Sequence, residues 1–570
     1  MPTYEELKRQ ADSEWAAITK PTSVQIFVGT ATCGRAAGGE RTVRALKAEL
    51  AKRNIAGIVR DVGCNGLCFA EPIVDVIMPS KPRISYGKIT ADKVPQFVED
   101  VIVKGNLRSD IALGVVGEGT LPGIGNVADR PEMKIQVRAA LRNAGIIEPW
   151  SVNQYIANGG YAGLAKAFTM KPEQAIDEVV KSGLRGRGGA AFPTGTKWKF
   201  IAGSNAPVKY HLCNAEEGDP GAFNDKAILE SDPHSVVEGI TIAGYASKAS
   251  KGYIFIRCVH HEVISRVEKA IEEAKKAGLV GKNILGSGFD YDVEVAQTGE
   301  SYVAGEETAL MDAIEGKRAM PRAKPPFPAT YGLWGKPSNI NNVKTYAYVP
   351  EILAKGGDWY AKIGTEKSKG TAIVCLSGDI KQPGMYEVPM GVTVRQVLDT
   401  CGGGVVGKEI KVLQTGGPLG GFLAGNELDV KIDFDDMAAK GAILGSGGII
   451  VANETACIVD LTRILADFNR DESCGKCFPC RIGTMHVHQI FESIAAGKGR
   501  AGDIDKMLQI GDAMVSSLCG HGQLAGNPTK SALKYFKEEI EEHINQKKCR
   551  TGKCEALVKK EEPAAAGARR

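Results

Sequence analysis

Glu472-Ser-Cys474-Gly-Lys-Cys477-Phe-Pro-Cys480 places three cysteines within seven residues. Two-residue spacers let three thiolates wrap one face of a cubane [4Fe–4S] cluster. Zinc accepts the same soft ligands, and three buried thiols would need no metal at all. A fourth ligand has to come from elsewhere. Cys519, in Ser516-Ser-Leu-Cys519-Gly-His521, can supply it from the far side of a helical hairpin. Apolar residues recur at helical spacing from Thr455 to His543. The stretch therefore predicts a helical domain over 451–548 that holds a metal centre.

Working outward, 570 residues suggest three or four domains. The net charge of +4 shows no basic stripe, so neither nucleic acid nor a membrane surface is an expected partner. No run of about 18 apolar residues occurs, so no membrane span is expected. The start, Met1-Pro-Thr-Tyr-Glu-Glu, lacks the apolar stretch of a signal peptide. A soluble, cytoplasmic setting is expected, whether the chain is free or part of a complex associated with a membrane. In that reducing compartment 14 cysteines read as metal ligands or buried thiols rather than disulfides. The chain has 69 glycines, where about 40 would be usual at this length. They gather in runs that suit close approach of backbone to a ligand.

The pattern before the cysteine motif is α/β. Residues 1–20 read as a polar helical lead-in. Val24–Val28, Ile73–Ile77 and Arg83–Tyr86 read as strands, with helices over Arg41–Lys52 and Ala91–Val103. This order predicts a thioredoxin-like domain over 1–104. Residues 105–150 read as a linker with one helix around Lys134–Ala144. Alternating strands and helices over 151–368 predict a layered α/β domain. Residues 369–450 read as a compact β-rich module. Residues 549–570 read as a cysteine-containing, otherwise disordered tail, with Lys, Glu and Ala dominating from Ala556.

Four segments of the α/β domain carry chemistry. Ser182-Gly-Leu-Arg-Gly186-Arg187-Gly188-Gly189-Ala-Ala-Phe192-Pro-Thr-Gly195-Thr-Lys197-Trp198 formally contains G-x-G-x-x-A. It follows a helix rather than a strand, which rejects a Rossmann turn. Trp198 stands where a P-loop needs Ser or Thr. What remains is a structural turn, or a loop whose bare amides hold a phosphate or a flavin ring. Asn214, Glu216, Glu217 and Asp219 form an acidic loop after a strand, suited to sugar hydroxyls, a metal or solvent. Tyr302, Gly305, Glu306 and Glu307 open a helix, whose dipole favours carboxylates there. Proline-stiffened Lys324 and Phe327 precede Asn341 and Asn342.

Residues 472–484, Glu-Ser-Cys-Gly-Lys-Cys-Phe-Pro-Cys-Arg-Ile-Gly-Thr, resemble the cluster motif of the NADH-binding flavoprotein subunit of respiratory complex I. Relatives of that subunit include the NAD-linked subunits of soluble hydrogenases and formate dehydrogenases. The four segments above resemble that family in the same order and spacing, and the resemblance runs from about 23 to 555. It implies FMN, NAD(H) and a [4Fe–4S] cluster on Cys474, Cys477, Cys480 and Cys519. It implies that Gly186, Arg187, Gly188, Gly189, Lys197, Asn214, Glu216 and Glu217 surround FMN, with Asn341 and Asn342 toward its phosphate. Phe192 and Phe200 would stack on adenine, while Asp219, Lys324 and Phe327 flank the nucleotide. Gly305, Glu306, Glu307 and Tyr302 would position flavin and nicotinamide, with Glu307 and Tyr302 nearest the chemistry. Residues 369–435 resemble the family's ubiquitin-like β-grasp module. The implied activity is hydride transfer between NADH and FMN, then single-electron transfer to or from partner redox subunits of a hydrogenase, formate dehydrogenase or related reductase. Gly218-Asp219-Pro-Gly resembles the hydrogenase and formate dehydrogenase branch. A scaffold subunit with a dead nucleotide site is the alternative. A dithiol oxidoreductase is opposed by the missing C-x2-C.

Two more cysteine groups stand apart. Cys33, Cys64 and Cys68 resemble the [2Fe–2S] domain of the small partner subunit of complex I, which pairs C-x4-C with C-x3-C. Position 38 is Gly, so Cys33 lacks a mate. Either a non-cysteine ligand completes the cluster, or the cluster is absent and the domain serves docking. His543, Cys549 and Cys554, with Cys457, have spacing that suits a structural zinc. Loose thiols are the alternative there. Cys213, Cys258, Cys375 and Cys401 read as small buried side chains.

Overall fold

The computed structural model describes residues 2–558. Its first sheet holds β1 (Val24–Gly29), β2 (Gly57–Val62), β3 (Val74–Ile77), β4 (Arg83–Tyr86) and β5 (Ala112–Val116), in the order β2-β1-β3-β4-β5. β1 and β2 are parallel and β3, β4 and β5 follow antiparallel, which is the expected thioredoxin-like arrangement. Val28, Leu46, Val74 and Phe97 fill its core.

The region read as a linker differs in two ways. β5 adds a fifth strand, allowed by Gly114, where a Cβ would meet the Val127 amide at 2.7 Å. The helix expected over Lys134–Ala144 is confined to Pro131–Lys134. Its amides are used elsewhere. The N–H groups of Ala139, Ala140 and Leu141 donate to the buried carboxylate of Glu387, at 3.0, 3.2 and 2.9 Å. Glu387 belongs to another sheet, so this segment is wedged between domains.

The central domain holds β6 (Tyr210–Ala215), β7 (Lys251–Arg257), β8 (Asp292–Thr298) and β9 (Ser338–Asn342). All four are parallel, in the order β8-β7-β6-β9, with helices on both faces. Strand order reverses at β6, and in such sheets ligands bind beyond the carboxyl ends near the reversal. The lead-in helix Tyr4–Thr19 packs Leu7 and Ala11 into this domain, and the Tyr4 hydroxyl donates to the Gly160 carbonyl.

The β-rich module holds β10 (Thr371–Gly378), β11 (Gly384–Pro389), β12 (Ile410–Thr415), β13 (Phe422–Ala424) and β14 (Gly448–Asn453). Their order is β11-β10-β14-β12-β13, with the helix Val394–Thr400 capped by Thr393 and Gln396. The helical domain follows as Ile458–Asp471, Phe478–Ala495, Asp503–Met514 and Asn527–Glu541 around Leu465, Val487, Phe491 and Met507. The expected tail is ordered at its start. Leu557 is buried against this core, with Cys549 and Cys554. The rest of the tail reading, 559–570, lies outside the described residues.

Candidate functional site

The glycine loop leaves the helix Pro172–Lys181 and opens the helix Thr194–Ala202, so it is neither a Rossmann turn nor a P-loop. It is pinned as a hairpin by the Gly186 amide on the Phe192 carbonyl and the Thr194 amide on the Leu184 carbonyl. The loop lies over the end of β9. A Cβ on Gly188 would sit 2.9 Å from that of Asn342. Gly189 has φ +113°, in the left-handed region that favours glycine.

Arg187, expected beside FMN, directs its side chain elsewhere. Its guanidinium turns away from the cradle and donates to the carbonyls of Arg185, Thr371 and Lys369. It stitches the loop to the β-rich module, and its amide is taken as well, by the Thr345 hydroxyl at 3.0 Å.

The acidic residues divide sharply. Glu217 accepts from the amides of Asp225 and Lys226, both at 2.9 Å, so both oxygens close a helix start. Glu306 caps the helix Glu307–Ile314 through the amides of Thr308 and Ala309. Glu216 is different. Its side chain is buried, and its Oε1 has no hydrogen bond. Its nearest cation is Arg257, at 3.5 Å, whose Nε is likewise unpartnered. Burial pushes the Glu216 carboxyl up to about 8, against the pull of Arg257, with Asp219, Glu472 and Glu217 adding to the rise. A Cβ on Gly305 would stand 2.8 Å from Glu216 Oε2. The orphaned carboxylate oxygen and the bare glycines above it fit a polar planar ligand such as a flavin, which offers ring donors and acceptors.

Glu307 lies between two lysines. Lys324 donates to it at 2.6 Å and Lys197 lies 3.5 Å away. Burial raises its carboxyl, but the two ammonium groups outweigh this and hold it below the usual range. Lys197 also donates to the Ile340 carbonyl. Asn214 donates to the Gly305 carbonyl and so ties β6 to the segment after β8. Asn341 is committed to the interior, where its Oδ1 accepts from Trp198 and Asn339. Asn342 caps the helix Val343–Lys355.

Reading the sequence did not single out Lys344, Asn224, Asp225 or Arg257. Buried Lys344 donates to Asn224 and Asp225 at 2.6 and 2.8 Å. Its place directly after Asn341-Asn342-Val343 was the available signal.

Phe192, Phe200 and Phe327 are exposed apolar faces at the mouth of the cradle, 45%, 57% and 59% accessible. The rings of Phe192 and Phe200 lie 6.5 Å apart. Exposed aromatic faces of this kind suit a stacked base.

Tyr302 links the cradle to the cysteine motif. Its hydroxyl donates to Asp219 at 2.7 Å, and Asp219 also accepts from Ser446 at 2.6 Å. The Tyr302 amide donates to Glu472 at 3.0 Å, and its ring packs edge-on against Phe468 and His521. Lys476 adds a second tie through the Pro321 carbonyl.

Two cysteines of the motif, Cys477 and Cys480, meet the segment that carries Cys519 across the helix hairpin. Cys477 precedes the helix Phe478–Ala495, and its sulfur accepts from the Leu518 amide, next to Cys519. Gly522 is needed there, because a Cβ would stand 2.9 Å from that of Cys480. Cys480 and Cys519 are buried, while Cys474 and Cys477 are half-buried.

The other group closes more tightly. Cys457, His543, Cys549 and Cys554 are buried, with ligand atoms all within 4.8 Å of one another. Cys457 Sγ lies 3.4 Å from His543 Nε2 and 3.7 Å from Cys554 Sγ. Tetrahedral zinc with sulfur at about 2.3 Å and nitrogen at about 2.0 Å sets neighbouring ligands about 3.6–3.8 Å apart. His543 Nδ1 faces the Glu539 carbonyl at 2.7 Å, which fixes the ring with Nε2 inward. Of the remaining cysteines, Cys213, Cys375 and Cys401 are buried, and Cys258 is half-buried.

Comparison with known proteins assigns these segments to recognised domains. Residues 179–351 match the Nuo51 FMN-binding domain, 460–543 the NADH-ubiquinone oxidoreductase-F iron-sulfur binding region, and 373–423 the SLBB domain. The NADP-reducing hydrogenase subunit HndC of Solidesulfovibrio fructosivorans is 48% identical over 427 residues, spanning 75% of this chain and 87% of that protein. An NADH-quinone oxidoreductase subunit of Streptomyces coelicolor is 44% identical over 403 residues, spanning 70% and 90%. A crystal structure of an NAD+-reducing [NiFe]-hydrogenase in the H2-reduced state superposes with TM-score 0.63 at 26% identity, covering 95% of this chain and 90% of that one. The chain belongs to the family of these NADH-quinone oxidoreductase subunits, with an FMN-binding domain and a 4Fe–4S-binding region. Among the described residues no helix is long and apolar enough to cross a membrane.

Proposed function

We propose that this chain transfers hydride between NAD(H) and FMN, and single electrons between FMN and a [4Fe–4S] cluster on Cys474, Cys477, Cys480 and Cys519. The observation that carries the reading is the bonded path from cradle to cluster motif, Ser446–Asp219–Tyr302–Glu472. FMN, when bound, supplies the conversion between two-electron and one-electron chemistry. The bare amides of Gly188 and Gly189, the side-chain-free Cα of Gly186 and the unpartnered Glu216 receive it. Lys344, Asn224 and Asp225 position the loop and strand end beneath. Phe192 and Phe200 take the adenine, and Lys324 and Phe327 flank the rest of the nucleotide. Glu307, kept ionised between Lys197 and Lys324, orients the nicotinamide side. Tyr302 holds the two domains in register rather than moving a proton.

Cys457, His543, Cys549 and Cys554 hold a structural zinc that ties the last residues of the domain to its first helix. Electrons leave to, or arrive from, other redox subunits of a cytoplasmic complex. The direct test is NADH reduction of an artificial acceptor by the full chain after FMN and iron reconstitution. Turnover is expected. A fully loaded chain without turnover would establish the scaffold reading instead.

A further inference from the structure

Cys33, Cys64 and Cys68 come from three different places. Cys33 lies in the short helix Thr32–Ala36 after β1, Cys64 just beyond β2, and Cys68 at the start of the turn Cys68–Ala70. Their sulfurs lie within 4.8 Å of one another, and those of Cys64 and Cys68 are 3.6 Å apart. That is the spacing of sulfurs around one tetrahedral ion, about 3.8 Å for metal–thiolate bonds of about 2.3 Å. A [2Fe–2S] cluster shares its ligands between two irons. Of any three thiolates, at least one is then displaced from the others by the metal–metal separation, and this triad is too compact for that.

A fourth thiol is also missing. Position 38 is glycine, and a Cβ there would point at the Arg41 guanidinium, 3.2 Å away. A C-x4-C pair ending at Cys33 would need cysteine at 28, where buried Val28 stands. The ligand beside the triad is instead a carboxylate. Glu71 is buried, and its Oε1 lies 3.9 Å from Cys33 Sγ. Its Oε2 accepts from the Ile73 amide at 2.7 Å, so one oxygen is held by the backbone and the other is left for a metal. Space for this carboxylate exists only because residue 29 is glycine. A Cβ there would stand 2.6 Å from Oε2.

We propose that Cys33, Cys64, Cys68 and Glu71 hold a single zinc ion in place of the [2Fe–2S] cluster that the resemblance of this domain implies. The three thiolates supply three corners of a tetrahedral set, and Glu71, whose free oxygen lies beside Cys33, is the side chain placed to take the fourth and so close a structural site. The loop it fixes docks on the β-rich module. The Gly66 carbonyl accepts from Met385, the Phe69 amide donates to Pro383, and Arg138 donates to the Asn65 carbonyl. The ion thus braces the thioredoxin-like domain against its neighbour and is no station for electrons.

The test is metal analysis of the anaerobically purified full chain. Two zincs per chain are expected, with one remaining in Cys549→Ser, which removes the site at the other end. Cys68→Ser should lose the first zinc with iron unchanged. Glu71→Gln should release it to a chelator about tenfold faster or more. A Cys549→Ser protein without zinc overturns the proposal whether or not Cys68→Ser folds. So does iron that falls in Cys68→Ser together with a reduced-state [2Fe–2S] electron paramagnetic resonance signal.

Discussion

The helical domain carries two cysteine sites built on opposite principles. Cys474, Cys477 and Cys480 sit within one turn-and-helix start and need only Cys519 from across the hairpin. Cys457, His543, Cys549 and Cys554 are drawn from both ends of the domain. The first site keeps two of its thiols half-buried, beside Phe478, which is 67% exposed. The second is buried throughout, with ligand atoms at the spacing of a single ion. Electrons need a short way out, so a redox centre stays near the surface. A structural ion gains by closure, because it links segments far apart in sequence. The difference teaches that sequence spacing shows which residues share a metal, while sulfur spacing in space shows how many metals they share.

The largest effect expected from breaking this pair is at the redox site. Cys519→Ser removes the thiol that we propose closes the cluster. Iron content should fall, and reduction of a one-electron acceptor by NADH should drop about 100-fold or more, since even outer-shell changes at metal sites cost about 10–100-fold. Zinc should not change. Retained iron with normal turnover would show that the fourth ligand lies elsewhere. The second effect is structural. Cys549→Ser should remove one zinc, leave iron in place, and lower the melting temperature of the helical domain by roughly 5–10 °C. An unchanged melting curve would mean that the site is ornamental to stability.

Legibility followed the same division. The helical region and the layered α/β region were readable because their signals are local: periodicity and the alternation of strand and helix patterns. Glu217 and Glu306 show where local reading stops. Both sit in the expected acidic segments, yet both oxygens of Glu217 and Oε2 of Glu306 are taken by amides of neighbouring helix starts, and only folded geometry reveals that. Arg187 sits amid the glycines of the loop, but its guanidinium is claimed by carbonyls 182 and 184 positions away in sequence. The helix expected at Lys134–Ala144 failed for the same reason, since Glu387 captures its amides from another sheet. Glu71 carried no signal beyond its nearness to Cys68.

Glu216 offers the next test, because its environment contrasts with that of Glu307. One carboxyl has a buried side chain and a single cation 3.5 Å away, and the other is half-buried between two lysines. A folded value of about 8 against an ordinary value near 4.5 means that the native state binds the proton more tightly than the unfolded chain. Stability is therefore lost as pH rises through that window. In the flavin-free chain, Glu216→Gln should melt about 3 °C above wild type at pH 8.5 and level with it at pH 4.5. Equal melting at both values would show that Arg257 neutralises the group after all. The same variant should weaken flavin retention, which separates a stabilising change from a harmless one.

The smallest effect belongs to the link between cradle and cluster. Tyr302→Phe deletes the hydroxyl that donates to Asp219 but keeps the ring on Phe468 and His521 and the amide on Glu472. Asp219 still accepts from Ser446. The loss is one buried hydrogen bond to a carboxylate, about 1–2 kcal/mol. Because Tyr302 positions rather than reacts, its substitution should leave the pH dependence of NADH oxidation unchanged. Transfer onward to a one-electron acceptor should slow only severalfold, through a looser fit between the domains. A shifted pH profile would instead make the hydroxyl a proton-transfer group, and the path through Asp219 would then be part of the chemistry rather than its frame.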